Sequence, residues 1–302
     1  MQQVPHLGET LAVLTSFLWA GTAVFFTAAG RHAGSQAVNF ARLPLAVLCL
    51  GAANTWLTGH FWPIGVSLEA MGWLALSGVV GLTLGDSFLF WAFGRIGPRR
   101  TLLMMSTAPV FTVLTAWLLI GERLASRQLI GVVVIIAGVM LATLGRDEGG
   151  GVFRNLPRSV LRSGFLAGLA AGACQGVGAT FAKLGMAALE PLQATMTRMI
   201  WGAIGMTAVA LVSGKLVQYT VVWKDRRALP PLLGGVIMGP FLGVWASLAA
   251  FKLTDTGVAM ALAGTVPVTV LIPSWIVYHD RPSLLSFAGV VVAVAGGAIL
   301  FL

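Results

Sequence analysis

Residues 145–162 read GRDEGGGVFRNLPRSVLR, the longest polar stretch in a chain of 302 residues. Arg146, Asp147, Glu148, Arg154, Arg158 and Arg162 crowd into it, around the glycine run Gly149 to Gly151. It lies at the midpoint. On its N-terminal side five apolar segments follow one another, at about 9–29, 36–58, 68–94, 99–120 and 127–144. Five more follow it, at about 163–188, 191–213, 229–252, 256–278 and 284–302. Each reaches the roughly 18–20 residues that a helix needs to cross about 30 Å of hydrocarbon. The polar stretch therefore reads as a linker between two halves, 9–144 and 163–302.

Composition agrees: 57% of residues are hydrophobic and 10% are charged, against roughly 45–50% and 25% in soluble domains. Mean hydropathy is +0.90. A water-soluble fold of this length could not hide so much apolar surface, so the bilayer is the solvent. Backbone groups in lipid must be satisfied internally, which leaves helices or a closed barrel. The runs are continuously apolar rather than alternating, which excludes the barrel. The fold class expected is an all-α membrane protein of ten transmembrane helices. Leu7 to Ala29 lacks a basic leader and a clear cleavage site, and reads as a retained first span.

The formal net charge of +9 invites a nucleic-acid reading. The basic residues, however, fall in short clusters between apolar runs, where they suit loops facing anionic headgroups. Cys49 and Cys174 lie far apart in apolar stretches and read as small core residues. No residue spacing suggests a metal, and no cofactor is expected.

The two halves repeat. Phe25 and Arg42 match Phe181 and Arg198 at an offset of 156 residues. From the third span onward the offset is 158, pairing Gly81 with Gly239, Gly85 with Gly243, Thr107 with Thr265, and Pro109 with Pro267. Arg123/Arg281, Gly131/Gly289 and Gly138/Gly296 follow, and Glu122 falls on Asp280 with its charge kept. Apolar matches are cheap in this composition, but Pro, Gly and charge at one offset mark a duplication. Five spans is an odd number, so the second half enters the membrane from the opposite side, giving a 5+5 inverted-topology repeat.

The run Thr107-Ala108-Pro109-Val110, then Gly121-Glu122-Arg123-Leu124, Gln128, Gly131 and Gly138, resembles the end of an EamA domain. Trp19-Ala20-Gly21 and Arg42 fit the same domain, and both halves match. The chain thus resembles a two-EamA, ten-helix member of the drug/metabolite transporter superfamily. The resemblance implies a secondary transporter in a bacterial inner membrane, exporting small metabolites such as amino acids, amines or drugs. It also implies a central site formed by the first, third, fourth, sixth, eighth and ninth spans. The second half departs from the pattern, with Gln175-Gly176 in place of Trp19-Ala20 and His279-Asp280-Arg281-Pro282 in place of the Gly-Glu turn.

Trp19, Asp86, Phe90, Met105, Gln175 and Trp245 are the candidate substrate-lining residues, mostly aromatic, soft or amide-bearing, as a small amphipathic ligand requires. Asp86 lies deep in the third span and its repeat position holds Val244. With Thr83, Phe90 and Phe93 it falls on one face at helical spacing. An intramembrane carboxylate suits an amine or a transported proton; a buried pair with Arg42 or Arg198 is the bland reading. Arg42 and Arg198, about two turns inside their spans, serve either as structural neutralisers or as an anion-binding pair. Their symmetry favours the structural role. Pro109 and Pro267 are expected to kink the fourth and ninth spans, freeing the carbonyls of Met105 and Ala263. The glycines spaced by four at 164–176 and 235–243 read as tight helix packing, with dimerisation as the lesser alternative. Glu122 and Asp280 are expected to open the following helix, near the caps Ser126 and Ser283.

Thirteen of the 19 Lys and Arg fall in loops on one side, and Arg123, Arg127, Lys183 and Lys252 on the other. Positive-inside reasoning then puts loop 145–162 in the cytoplasm and both termini outside. The resemblance implies termini inside; we follow the charges. Two rival functions stand against a carrier. An intramembrane lipid-modifying enzyme needs convergent His, Asp, Cys or Ser groups, yet His6, His32, His60 and His279 lie at span ends or loops. A non-transporting receptor or scaffold is the other. Expected partners are the bilayer and a small-molecule substrate, with no nucleic acid, in a monomer or homodimer.

Overall fold

The computed structural model describes residues 5–144, 156–269 and 283–301. Residues 145–155 of the linker, the ninth segment beyond Thr269, and the turn with His279, Asp280, Arg281 and Pro282 lie outside the described residues. Every element among the described residues is helical. Eight helices are long and apolar enough to cross a membrane, from Leu7–Ala33 to Leu229–Leu253. Thr256–Thr269 and Leu284–Leu300 are shorter apolar helices at the places of the last two expected spans.

In the first half, α1 (Leu7–Ala33) and α2 (Ser35–Thr58) are followed by α3 (Leu68–Ser77). A π-helical stretch, Gly78–Gly85, carries α3 without a break into α4 (Asp86–Met105), and α5 (Ala108–Ile120) and α6 (Ser126–Leu144) complete the half. The second half holds α7 (Arg158–Gly185), α8 (Pro191–Val212), a short α9 (Leu216–Thr220), then α10 (Leu229–Val236). A second π-helical stretch, Ile237–Gly243, joins α10 to α11 (Val244–Leu253); α12 (Thr256–Ala263), α13 (Val266–Thr269) and α14 (Leu284–Phe301) follow. Gly34 and Gly121, at φ +83° and +67°, turn the chain where an L side chain would be strained.

The halves pack on each other more than side by side. The third span, α3 through α4, lies along α7, and the corresponding α10–α11 lies along α1. Likewise α5 meets α7 while α12 meets α1, and α6 packs along α14. The α6–α14 seam shows the symmetry directly. A methyl on Gly131 would sit 3.1 Å from the Gly296 carbonyl, and one on Gly138 would sit 2.8 Å from that of Gly289. These four glycines are two repeat pairs, each contacting the other pair's member, as across a two-fold axis. Position rises along α6 as it falls along α14, so equivalent helices run antiparallel, the arrangement an inverted repeat requires.

The spaced glycines are packing surfaces. Gly168 and Gly172 fit against Met104 and Thr107, and Gly176 against the backbone of Ala108 and Thr112. At a second seam, between the α10–α11 span and α1, Gly235 fits Phe26, Gly239 fits Thr22 and Gly243 fits Trp19. Small residues at such seams let helix backbones approach closely in lipid.

Two expectations need correction. Pro109 does not kink a continuous helix: α4 ends at Met105, and Pro109 stands in the first turn of α5, where its missing N–H costs nothing. The Thr107 hydroxyl donates to Met104 O at 2.6 Å, and Thr265 repeats this on Leu262 O at 2.7 Å, before Pro267 in the first turn of α13. The carbonyls met by hydroxyls are therefore those of Met104 and Leu262, not Met105 and Ala263. Glu122, expected in the first turn of its own helix, lies in the loop before α6. Its carboxylate accepts from the backbone N–H and hydroxyl of Thr256, the first residue of α12, and so caps a helix of the other half. Lys183 from the end of α7 pairs with it at 3.5 Å. Burial of Glu122 raises its pKa above the ordinary 4.5, an effect that Lys183 and the Thr256 bonds only partly offset.

This cap belongs to a polar collar between the halves. Gln128 donates to Asp255 at 2.6 Å, Thr254 to Glu9 at 2.9 Å, and Lys252 to Glu190 at 3.4 Å. Lys183 and Lys252, two of the four cations assigned above to the less basic side, are paired here, Lys183 with Glu122 of the first half and Lys252 with Glu190 of its own half.

Candidate functional site

Between the halves, below the collar, the ionisable groups of the span interiors come together. Arg42 on α2 is 3% exposed and Asp86, opening α4, is 4% exposed. The Arg42 Nη2 group donates to Asp86 Oδ2, and its Nε donates to Asn39 Oδ1 at 2.9 Å. Gln175 on α7 donates from Nε2 to Asp86 Oδ1 at 2.9 Å and approaches the Gly81 carbonyl at 3.3 Å. The Phe90 ring, one turn after Asp86, lies 6.0 Å from the Arg42 guanidinium carbon, with Phe93 edge-on to it. A carboxylate in lipid would be costly alone. Here both of its oxygens are bonded.

The π-helical stretch explains why Asp86 points this way. A π turn is wider than an α turn, so it rotates the residues beyond it off the regular face. Thr83, expected to share a face with Asp86, instead donates to Gly202 O of α8 at 3.1 Å. Ser77, at the start of the widened stretch, donates to Gly178 O of α7 at 2.6 Å. Sequence reasoning missed both π stretches. Their signal was the paired Gly81/Gly239 and Gly85/Gly243, which the repeat had already singled out.

Arg198 on α8 is the second buried arginine, 5% exposed. It lies against the same stretch, so that a methyl on Gly81 would be 2.8 Å from its Nη2 and 3.9 Å from Gln175 Oε1. Its Nε is sealed from solvent with no hydrogen-bond partner among the described residues. The two arginines, equivalent in sequence, are thus different in environment.

Of the expected lining residues, Asp86, Phe90 and Gln175 meet at this cluster. Trp19, against Gly243, and Trp245, which follows that glycine by two residues, lie at its pseudo-symmetric counterpart. A methyl on Gly85 would lie 3.6 Å from Gln175 Nε2, and one on Gly243 would lie 3.3 Å from Trp19 Nε1. Gln175 and Trp19 are therefore equivalent residues against equivalent glycines. The Trp245 and Phe241 rings lie tilted against each other, their centroids 6.0 Å apart. One half-site is ionic and the other aromatic. Met105 joins neither: it ends α4, half-buried, while Met104 packs against Gly168. Shallow depressions beside Glu122, lined by Trp117 and Leu124 or by Lys183, belong to the collar and not to this cluster.

Comparisons with known proteins agree with this architecture. An uncharacterized transporter of Archaeoglobus fulgidus is 32% identical over 141 residues, covering 47% of this chain and 46% of the relative. A probable terminal-alkyne amino-acid exporter of Streptantibioticus cattleyicolor is 28% identical over 129 residues, covering 42% and 41%. The matches span less than half the length of either relative. A crystal structure 17% identical in sequence superposes with a TM-score of 0.76 over 98% of this chain and 97% of its own, a likeness of fold. The EamA-like transporter family matches residues 6–144 and again residues 162–302. With its interlocked halves, its apolar helices and both matches, the chain belongs to the EamA-like transporter family and is a two-EamA, multi-pass membrane protein of the drug/metabolite transporter superfamily.

Proposed function

We propose that this protein is a secondary exporter of small amphipathic metabolites, with amino-acid-like molecules foremost. The observation that carries the reading is the pair of unlike half-sites at the inter-repeat interface. Asp86, Gln175 and the two arginines offer polar contacts, while Trp19, Phe241 and Trp245 offer apolar surface. Such a pair suits a molecule with one charged and one apolar end. The amino-acid exporter among the relatives points to the same class.

Asp86 is the group we assign to proton coupling. Its bond to Arg42 means that a proton reaching Asp86 must compete with a guanidinium. Protonation would then free Arg42 and loosen α2 from α4, a change that a transport cycle can use. An amine bound at Asp86 would have to displace the same guanidinium, which disfavours the amine-site alternative. The two domains 9–144 and 163–302 would move as the two repeats, around the 145–162 linker. We place the protein in a bacterial inner membrane, as the family implies, and its linker in the cytoplasm on the charge bias.

Net flux in proteoliposomes tests the reading. The purified chain should move amino acids or related amphiphiles, faster with an imposed pH gradient. No flux for any member of an amino-acid and amine panel would overturn it.

A further inference from the structure

Arg198 has lost both partners that its twin retains. Arg42 is held by Asn39 and Asp86. The repeat offsets carry Asn39 to Thr195 and Asp86 to Val244. Thr195 turns its hydroxyl back to the Pro191 carbonyl at 2.7 Å, and Val244 has no polar group to give. The Nε of Arg198 accordingly has no hydrogen-bond partner among the described residues, though the residue is only 5% exposed. Two guanidinium groups face one carboxylate, since Asp86 is the only acidic residue more than one turn inside any apolar segment. Arginine does not shed its proton to relieve this. A buried cation that shares its one counter-charge with a second arginine and keeps an unmet N–H is expensive, and ionisable groups inside membranes mark ligand pathways where they are kept.

We infer that Arg198 is the anion-recognition residue of the carrier and takes the carboxylate of the transported molecule. Its planar fork matches a carboxylate in bidentate geometry. Gln175, whose Oε1 lies on the same side of Gly81 as the Arg198 guanidinium, is placed to accept from an ammonium group on the same ligand. The absent side chain at Gly81 leaves Arg198 room beside the π-helical stretch. Arg42 keeps Asp86 out of the way, so the net positive charge of the cluster is directed at the substrate. This rests on the exporter reading above and names the ligand group that its polar half-site takes.

The test uses the full-length chain in detergent, with L-leucine, 4-methylpentanoate, 3-methylbutylamine and sodium chloride as separate probes at matched ionic strength. The first two carry a carboxylate; the amine lacks it. Leucine and 4-methylpentanoate should raise the melting temperature, and the amine and chloride should not. Arg198→Gln should weaken the carboxylate probes at least tenfold without lowering the melting temperature of the unliganded protein. Should Arg198→Gln fail to fold, Arg198→Lys serves, retaining charge but losing the fork, with a several-fold loss expected. The inference is overturned if the amine or chloride stabilises as well as the acids, if neither acid stabilises, or if the Arg198 variants bind them as wild type does. Flux measurements separate the two readings. Transport that survives Arg198→Gln with unchanged KM removes this inference and keeps the carrier. Carboxylate binding without any flux does the reverse.

Discussion

Arg42 and Asp86 form an ion pair that crosses from the second span to the third, 44 residues apart in sequence and nearly sealed from solvent. Desolvating two charges costs several kcal/mol each, and their attraction recovers this only when hydrogen bonds complete both shells. Asn39 adds one such bond on the arginine and Gln175 one on the carboxylate.

Breaking the pair from one side should therefore hurt more than removing it whole. Asp86→Asn leaves two unopposed guanidinium groups, and Arg42→Gln leaves a carboxylate with the Gln175 bond and only the more distant charge of Arg198. Each single variant should lose about 3–5 kcal/mol. The double variant Arg42→Gln, Asp86→Asn should recover part of that loss, a coupling that thermal melting of all four proteins in detergent measures. Additive losses would show that the pair contributes nothing as a pair.

The glycine seam between α6 and α14 gives a second expectation. A methyl on Gly138 would overlap the backbone nitrogen of Ala293 and crowd the Gly289 carbonyl at 2.8 Å. Backbone cannot move aside as a side chain can, so Gly138→Ala should cost about 1–3 kcal/mol. Gly297, on the same helix pair, meets nothing closer than Leu262 Cδ2 at 3.7 Å, and Gly297→Ala should be neutral within about 0.5 kcal/mol. Equal melting temperatures for the two variants would mean that the seam is not closed as described.

Glu122 makes the collar sensitive to pH. Its carboxyl holds a proton more tightly in the fold than in the unfolded chain, because it is buried. Folding therefore takes up a proton in the window just above pH 4.5, and this contribution is full below that value and fades as pH rises through the folded pKa. Lys183 and Asp255 face the same carboxyl and act on it in opposite directions. Glu122→Gln cannot titrate. The melting temperature of wild type relative to Glu122→Gln should fall steadily as pH is raised from about 4.5 toward neutrality. A flat difference would contradict the assignment.

Hydropathy made the helices legible, and repeated Pro, Gly and charge made the two halves legible, because both signals are local or recur at a constant offset. The contacts between elements were not. The Arg42–Asp86 bond and the capping of Thr256 by Glu122 join residues 44 and 134 apart, and no periodicity encodes them. The π-helical stretches carry no residue signature beyond glycine, so Thr83 and Asp86 were expected on one face that the widened turns divide. The isolation of Arg198 was half legible: Val244 against Asp86 was visible at the repeat offset, but Thr195 matters only once Asn39 is known to hold Arg42.

That asymmetry gives the last expectation, which restores the missing acid. Val244 follows the second π-helical stretch as Asp86 follows the first, and it is 4% exposed. It opens α11, which packs against α8 as α4 packs against α2. Val244→Asp should therefore place a carboxylate within reach of Arg198 and balance the buried cluster at two charges of each sign. Val244→Asn is the control, of the same shape and hydrogen bonding without the charge. An unpaired buried carboxylate would make the Asp variant the less stable of the two, by several kcal/mol. Pairing with Arg198 reverses that order, so Val244→Asp should melt higher than Val244→Asn. In the background of Arg198→Gln the advantage should vanish, because the partner is gone. If Val244→Asp is the less stable variant in both backgrounds, the two repeats are not equivalent at this position and the vacancy beside Arg198 has another origin.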